Sequence, residues 1–160
     1  MPILETERLQ LCLLTPDDAP FILELVNDPS WIKYIGDKNI HSPGAAREYI
    51  RNGPQQSYER FGFGLYAVRL KSNSLPIGMC GLLQRDTLDH PDIGFAFLPG
   101  FTGNGYAYES ALAVLDSAQK NWKMARILAI TSIDNERSVK LLLKLGFGFS
   151  KRIQLTPDGE

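Results

Sequence analysis

Between Asp92 and Leu112 the chain reads DIGFAFLPGFTGNGYAYESAL. An apolar strand enters a glycine-rich turn, and the turn opens directly into an amphipathic helix. Gly103 and Gly105 let the backbone bend and lie against a ligand with no side chain between them. The first N–H groups of the helix lack intrahelical acceptors and carry the positive end of its dipole, an arrangement suited to phosphate or diphosphate. Spacing narrows the choice. A mononucleotide phosphate loop requires Lys-Ser or Lys-Thr after its last glycine, whereas Tyr106 and Ala107 follow Gly105. The dinucleotide pattern G-x-G-x-x-G fails at Tyr108. A bare G-x-G also serves a tight strand-to-helix connection, so the turn alone leaves both readings open.

A second stretch, Ile127 to Phe149, reads ILAITSIDNERSVKLLLKLGFGF. Asn135 and Ser138 stand three apart at the start of a helix and share a face. As local chemistry, Asn135 is an N-cap and Ser138 a polar first-turn residue. In combination and in order, the two stretches resemble the GCN5-related N-acetyltransferase (GNAT) superfamily. Its members carry Q/R-x-x-G-x-G/A after the fourth strand, then Asn-x-x-Ser, then Leu-Gly-Phe. Here these stand as Thr102-Gly103-Asn104-Gly105-Tyr106-Ala107, as Asn135-Glu136-Arg137-Ser138 and as Leu145-Gly146-Phe147. The segment TERLQLCLLTPDDAPFILELVNDP is similar to the branch that acetylates the N-terminal alanine or serine of ribosomal proteins. The resemblance covers nearly the whole chain.

It implies a mixed α/β fold: a central, mostly antiparallel sheet flanked by helices, with the family's fourth and fifth strands splayed apart. Unpaired backbone groups at Phe97 and Leu98, with Phe95, would then hold the pantetheine arm and acetyl group of acetyl-CoA. The turn from Thr102 to Ala107 would take the diphosphate on the N–H groups of Gly103, Asn104, Gly105, Tyr106 and Ala107. Thr102 departs from the Gln or Arg of many relatives, which touches the motif more than a backbone mechanism. Asn135 would contact the cofactor arm, and Ser138 would lie near the thioester sulfur and protonate the leaving thiolate. Relatives often place a Glu base at the start of the fourth strand. The nearest counterpart is Asp92, with His90 two positions earlier.

The implied activity is transfer of acetyl from acetyl-CoA to a primary amine, a peptide N-terminus or a small molecule, by direct attack in a ternary complex. Cys80 falls on a different strand, so no acyl-enzyme route is expected. The rival reading is a CoA-binding sensor or regulatory domain without turnover. If the G-x-G is merely a turn, no cofactor binds.

The elements that must position these residues follow from capping and periodicity. Arg8 to Leu14 reads as an edge or early strand. Thr15 and Pro16 then open a helix whose Ala19, Ile22, Leu25 and Val26 share a face, ending at Asn27-Asp28-Pro29. Trp31 to Asn39 reads as a short helix and loop. Ser42-Pro43 opens another helix through about Asn52. Gly64 to Leu70 and Ile77 to Gln84 form a hairpin around Lys71-Ser72-Asn73-Ser74. After a polar turn at Asp86 to Pro91 come the strand Asp92 to Leu98 and a helix from Gly105 to Trp122. That helix has Ala107, Ala111, Leu112, Val114, Leu115 and Ala118 to bury. A strand from Arg126 to Ser132 precedes a helix capped by Asn135, with Val139, Leu142 and Leu143 inward and Gly146 as its αL cap. The aromatics Trp31, Tyr34, Tyr49, Tyr58, Phe61 and Phe63 form either an acceptor wall or core.

Phe147 to Leu155 reads as a strand, and Thr156 to Gly159 as a turn with no strand after it. The chain is thus expected to be one domain, 1–160, lacking a final strand or leaving its last one unpaired. Such an edge would pair with a second copy as a homodimer.

With 160 residues, 44% hydrophobic and 22% charged, the chain has enough apolar material for one core. A net charge of −1 gives no drive toward nucleic acid or an anionic membrane surface. Cys12 and Cys80 form no metal or redox motif. With no signal pattern and no membrane-spanning apolar run, a cytoplasmic location is expected and no metal is called for.

Overall fold

The computed structural model describes residues 2–85, 90–124, 126–130 and 135–148. Among the described residues, six strands form one sheet in chain order: β1 (Pro2–Glu5), β2 (Leu9–Leu13), β3 (Leu65–Leu70), β4 (Pro76–Leu83), β5 (Asp92–Phe97) and β6 (Leu128–Ala129). The first five are antiparallel neighbours, and β6 runs parallel to β5. Among the same residues, six α-helices flank it: α1 (Ala19–Val26), α2 (Pro29–Tyr34), α3 (Pro43–Ile50), α4 (Gln56–Phe61), α5 (Tyr106–Trp122) and α6 (Glu136–Lys144). The sheet is therefore mixed and mostly antiparallel, as the resemblance implied.

Side-chain alternation splits the core into two layers. On one face Val68, Ile77, Ile93 and their neighbours pack against Ala111, Val114 and Ala118 of α5 and Leu142 of α6. On the other, Ala67, Met79 and Leu98 pack against Ile22, Leu25 and Val26 of α1, Trp31 of α2 and Ala46 and Ile50 of α3. Trp31 and Phe63 belong to this core, and Tyr58 stacks on Tyr66 with its hydroxyl bonded to the Leu65 carbonyl. These three aromatics are structural.

Local signals set the element starts. Thr15 and Asp18 close a capping box over a 3₁₀ turn, Pro16–Asp18, that leads into α1. Ser42 accepts from the Ala45 N–H at the head of α3. The helix that was to stop near Asn52 continues instead through a π-helical segment, Arg51–Gln55, into α4. Pro54 breaks an i→i−4 ladder, and the wider π turn accommodates it. Of the two readings of Arg8–Leu14, edge or early strand, the second holds: β2 is the second strand and is paired on both sides, with β1 outside it. Leu112 and Leu143 point outward, 46% and 58% exposed, against the inward expectation. Each sits one step around its helix from the residues that are buried, Ala111 and Leu142. The expected strand Phe147–Leu155 lies outside the described residues beyond Gly148, as does the turn Thr156–Gly159. Phe147 is the closing residue of α6: its N–H donates to the Leu142 carbonyl while Gly146 N–H, at φ +100°, donates to Leu143. That is a Schellman motif, the physical content of the Leu-Gly-Phe signature.

Candidate active site

Strand β5 ends in a turn that delivers the chain to α5. Leu98 to Thr102 fold as a short 3₁₀ turn in which Phe101 N–H donates to the Leu98 carbonyl, 2.9 Å. Gly103 and Gly105 both take left-handed backbone angles, φ +80° and +82°. Gly105 is the N-cap of the 17-residue α5, and no side chain caps it. The first ladder bond runs from Glu109 N–H to the Gly105 carbonyl, 3.0 Å. The N–H groups of Tyr106, Ala107 and Tyr108 therefore have no intrahelical acceptor. They form a cradle of backbone donors at the positive end of a long helix, with nothing in the described residues to satisfy them.

The β6-facing edge of β5 runs toward this cradle. Its ladder to β6 covers only Asp92 with Leu128 and Ile93 with Ala129 among the described residues. On the β4 side, Leu98 N–H donates to the Ile77 carbonyl, 2.9 Å, in register with the rest of that ladder. Antiparallel pairs alternate, so Leu98, Ala96 and Gly94 turn their backbone groups to β4. Phe95 and Phe97 turn theirs to the β6 side. This corrects one expectation: Leu98 N–H is consumed within the sheet, and it is Phe95 and Phe97 that face the β6 side, where the positions opposite them lie outside the described residues.

Asn135 and Ser138 stand where the local reading put them. Asn135 Oδ1 accepts from Ser138 N–H, 3.3 Å, capping α6. The Ser138 hydroxyl bonds to none of the described residues. The N-terminus of α6 is tied to the glycine turn by a contact the sequence did not announce. Arg137 Nη1 donates to Thr102 Oγ1 at 2.9 Å, and that hydroxyl donates onward to the Pro99 carbonyl, 3.0 Å. Thr102 thus acts as a spacer between a guanidinium and the loop. Arg137 makes no ion pair among the described residues, and its guanidinium is held against the turn through Thr102.

Asp92 is buried, 1% exposed, at the start of β5. Arg85 Nε reaches both of its carboxylate oxygens, at 3.1 and 3.3 Å. Burial pushes the Asp92 carboxyl above its ordinary range, and the Arg85 charge and hydrogen bond pull against that shift. Its side chain shares a sheet face with Leu83, its partner across the ladder. On that face Arg85 lines a cleft of about 340 Å³, together with Tyr49, Ser57, Arg60, Leu83 and Gln84. His90 lies in the bend just before β5, and no hydrogen bond or ion pair joins it to Asp92.

A second residue missed from sequence is Arg8. Its Nε donates to Glu109 Oε1 at 2.7 Å and its Nη1 to the Asn104 carbonyl at 3.1 Å. Burial would raise the Glu109 carboxyl, but hydrogen bonds from Thr6 and from the backbone and side chain of Arg8 outweigh it and hold it below 4.5. A carboxylate depressed on folding contributes stability that is complete above its unfolded value and is lost as pH falls through the folded one. Acid titration should therefore show Glu109→Gln less stable than wild type above pH 4.5, with the two converging below it; parallel curves would remove this linkage.

Among the described residues no three His, Cys, Asp or Glu side chains cluster to hold a metal, and no helix is long and apolar enough to cross a membrane.

Known proteins place this geometry. The sequence profile of the acetyltransferase (GNAT) domain matches residues 8–148. The chain is 32% identical over 148 residues to YoaA of Bacillus subtilis, described as an uncharacterized N-acetyltransferase, covering 91% of this chain and 82% of that protein. Its fold matches a ribosomal-protein-S5-alanine acetyltransferase from Vibrio fischeri with a TM-score of 0.75, at 20% identity over 91% of this chain and 82% of the other. It also matches RimL, a ribosomal L7/L12 alpha-N-protein acetyltransferase solved with coenzyme A, with a TM-score of 0.81, at 16% identity over 94% of this chain and 86% of the other. With an uncapped helix behind a glycine turn at the end of a central strand, and a family profile spanning nearly all of these elements, the chain belongs to the GNAT acetyltransferase family.

Proposed function

We propose that the chain is a cytoplasmic, acetyl-CoA-dependent N-acetyltransferase, one domain that moves acetyl to a primary amine by direct attack in a ternary complex. The observation that carries the reading is the uncapped N-terminus of α5, reached from β5 through a turn whose Gly103 and Gly105 take left-handed backbone angles. The N–H groups of Gly103 to Ala107 take the diphosphate. The Phe95 and Phe97 backbone takes the pantetheine arm and the thioester carbonyl, and Asn135 borders that arm. The amine enters on the opposite sheet face, through the cleft that Arg85 lines. Its nitrogen attacks the carbonyl carbon and its proton passes to Asp92, directly or through one water. A β5 backbone N–H holds the oxyanion. The C–S bond then breaks and the Ser138 hydroxyl protonates the departing thiolate, taking a proton back from water as Asp92 gives its own up to solvent.

An N-terminal α-amine, with a pKa near 8, is roughly a tenth neutral at pH 7, against well under a thousandth for a lysine near 10.4. A single buried carboxylate suffices for the former, which favours a peptide N-terminus or a small amine of similar basicity. RimL and the Vibrio fischeri enzyme act on ribosomal proteins, and this chain is best tested first with peptide N-termini.

The test is thiol release from acetyl-CoA on addition of amine. Turnover establishes the transferase, whereas cofactor binding without turnover on any amine class would favour a sensor. Asp92→Asn should lower kcat about 100-fold or more, the usual scale for a lost general base. A base works only when deprotonated, so wild-type kcat at saturating amine should fall as pH drops through a pKa above 3.8, and the mutant should lack that limb. Unchanged kcat in the mutant would assign the base elsewhere.

A further inference from the structure

We propose that Arg8, immediately before β2, grips the cofactor diphosphate through the one guanidinium nitrogen left uncommitted among the described residues; this rests on the diphosphate reading of the Gly103–Ala107 turn. The guanidinium is a three-way fork. Nε is spent on Glu109 at 2.7 Å, and Nη1 on the Asn104 carbonyl inside the turn at 3.1 Å. Cζ lies 4.4 Å from the centroid of the Tyr106 ring, which fixes the plane. Nη2 has no partner among the described residues and stands 3.4 Å from where a Cβ on Gly105 would lie. It therefore borders the space that the free N–H groups of α5 face.

The arrangement is built from distant parts of the chain, not from the turn itself. Thr6 Oγ1 and Arg8 N–H both donate to Glu109 Oε2, 101 residues or more away in sequence, fixing the carboxylate that aims the fork. Further support comes from Lys71, whose N–H donates to the Arg8 carbonyl and whose Nζ donates to the Thr6 carbonyl, each at 2.9 Å. A planar fork can hold a carboxylate, a carbonyl and a phosphate oxygen at once, whereas a single ammonium cannot. Arg8 is a positioning residue for the turn through Asn104 and a ligand for the diphosphate through Nη2.

Calorimetric titration of CoA and of dephospho-CoA into wild type, Arg8→Gln and Arg8→Lys, at low and high salt, tests this. Arg8→Gln is expected to weaken both ligands about 10-fold, a modest factor because the side chain is 43% exposed and screened. Its affinity should also fall less steeply with salt than wild type. Arg8→Lys should weaken both about 3-fold, since it keeps the charge and loses the fork. Wild-type affinity in Arg8→Gln overturns the proposal. So does a penalty seen with CoA alone, which would assign Arg8 to the ribose phosphate, or salt curves that run parallel, which would make it scaffold. If Arg8→Gln does not fold, Arg8→Lys decides, and wild-type binding there overturns the proposal. Failure of wild type to bind either ligand removes the cofactor reading itself, a result distinct from all of these.

Discussion

Gly105→Asp should abolish CoA binding while leaving the protein folded. Gly105 is the N-cap of α5 at φ +82°, and a Cβ there would lie 3.4 Å from Arg8 Nη2. The left-handed backbone costs an L-residue on the order of 1–2 kcal/mol. Against this, Asp is among the best N-cap residues, interacts favourably with the helix dipole, and would meet a guanidinium. The stability terms nearly offset, so the melting temperature should move by only a few degrees. Binding behaves differently. The new carboxylate occupies the anion cradle, satisfies its N–H donors and repels a diphosphate. Two like charges about 4 Å apart cost about 4 kcal/mol at an effective dielectric near 20, which corresponds to a loss of 100-fold or more. Gly105→Ala separates the effects, since it carries the strain without the charge and should lose far less affinity. CoA bound by a folded Gly105→Asp with wild-type affinity would remove the diphosphate from this turn.

The division of labour in the site explains which of its parts could be read from sequence. The turn was legible because its signal is local: two glycines, a strand before and an amphipathic helix after. Thr15-Pro16, Ser42-Pro43, Asn135 and Gly146 were legible for the same reason, each being a cap whose chemistry is complete within a few residues. The engagement of Leu98 was not, because which backbone groups face the β6 side depends on the β4–β5 register. A shift of one residue would exchange Leu98 for Phe97. Arg8 and Glu109 were invisible as a pair because nothing in either segment specifies the other. Arg137 lay inside the motif but reads as an exposed helical charge until the fold brings Thr102 against it. The π segment through Gly53 and Pro54 looked like a helix stop, and local propensity was overridden by burial of Pro54 against the core.

The same contrast orders the chemistry. On the proposed reading, the cofactor half of the site is built largely from backbone groups and so tolerates departures such as Thr102. The proposed acceptor half depends on side chains, Asp92 with Arg85 and the cleft between α3, α4 and β4, where the family resemblance says least. Asp92, Phe95 and Phe97 lie on one strand, so the β4–β5 ladder that carries them would set the geometry between the proposed base and the thioester.

That ladder rests on a place where only glycine fits, which gives the largest stability effect to be expected. Gly81 pairs with Leu65 of β3 on one side and Gly94 of β5 on the other. A Cβ added to it would lie 1.9 Å from the Gly64 carbonyl oxygen and 2.8 Å from Leu65 Cα, all backbone atoms. The Gly64 carbonyl cannot swing aside, because the chain on either side is anchored. Ser57 Oγ donates to the Phe63 carbonyl, and the Tyr58 hydroxyl donates to that of Leu65. Gly62 turns the chain out of α4 at φ +82° just before. Relief therefore requires β3 and β4 to part. Gly81→Ala should cost about 3 kcal/mol or more, at the upper end for overpacking, and lower the melting temperature by about 6–12 °C. Denaturant titration should show a lower midpoint at unchanged slope. Saturating CoA should raise the midpoint of both proteins, since it binds only the folded state, and a smaller rise in the mutant would link the glycine to the site through the sheet. A loss below about 1 kcal/mol would mean that the β3–β4 crossing can yield, and that Asp92 and the rest of β5 are held by something other than this close approach.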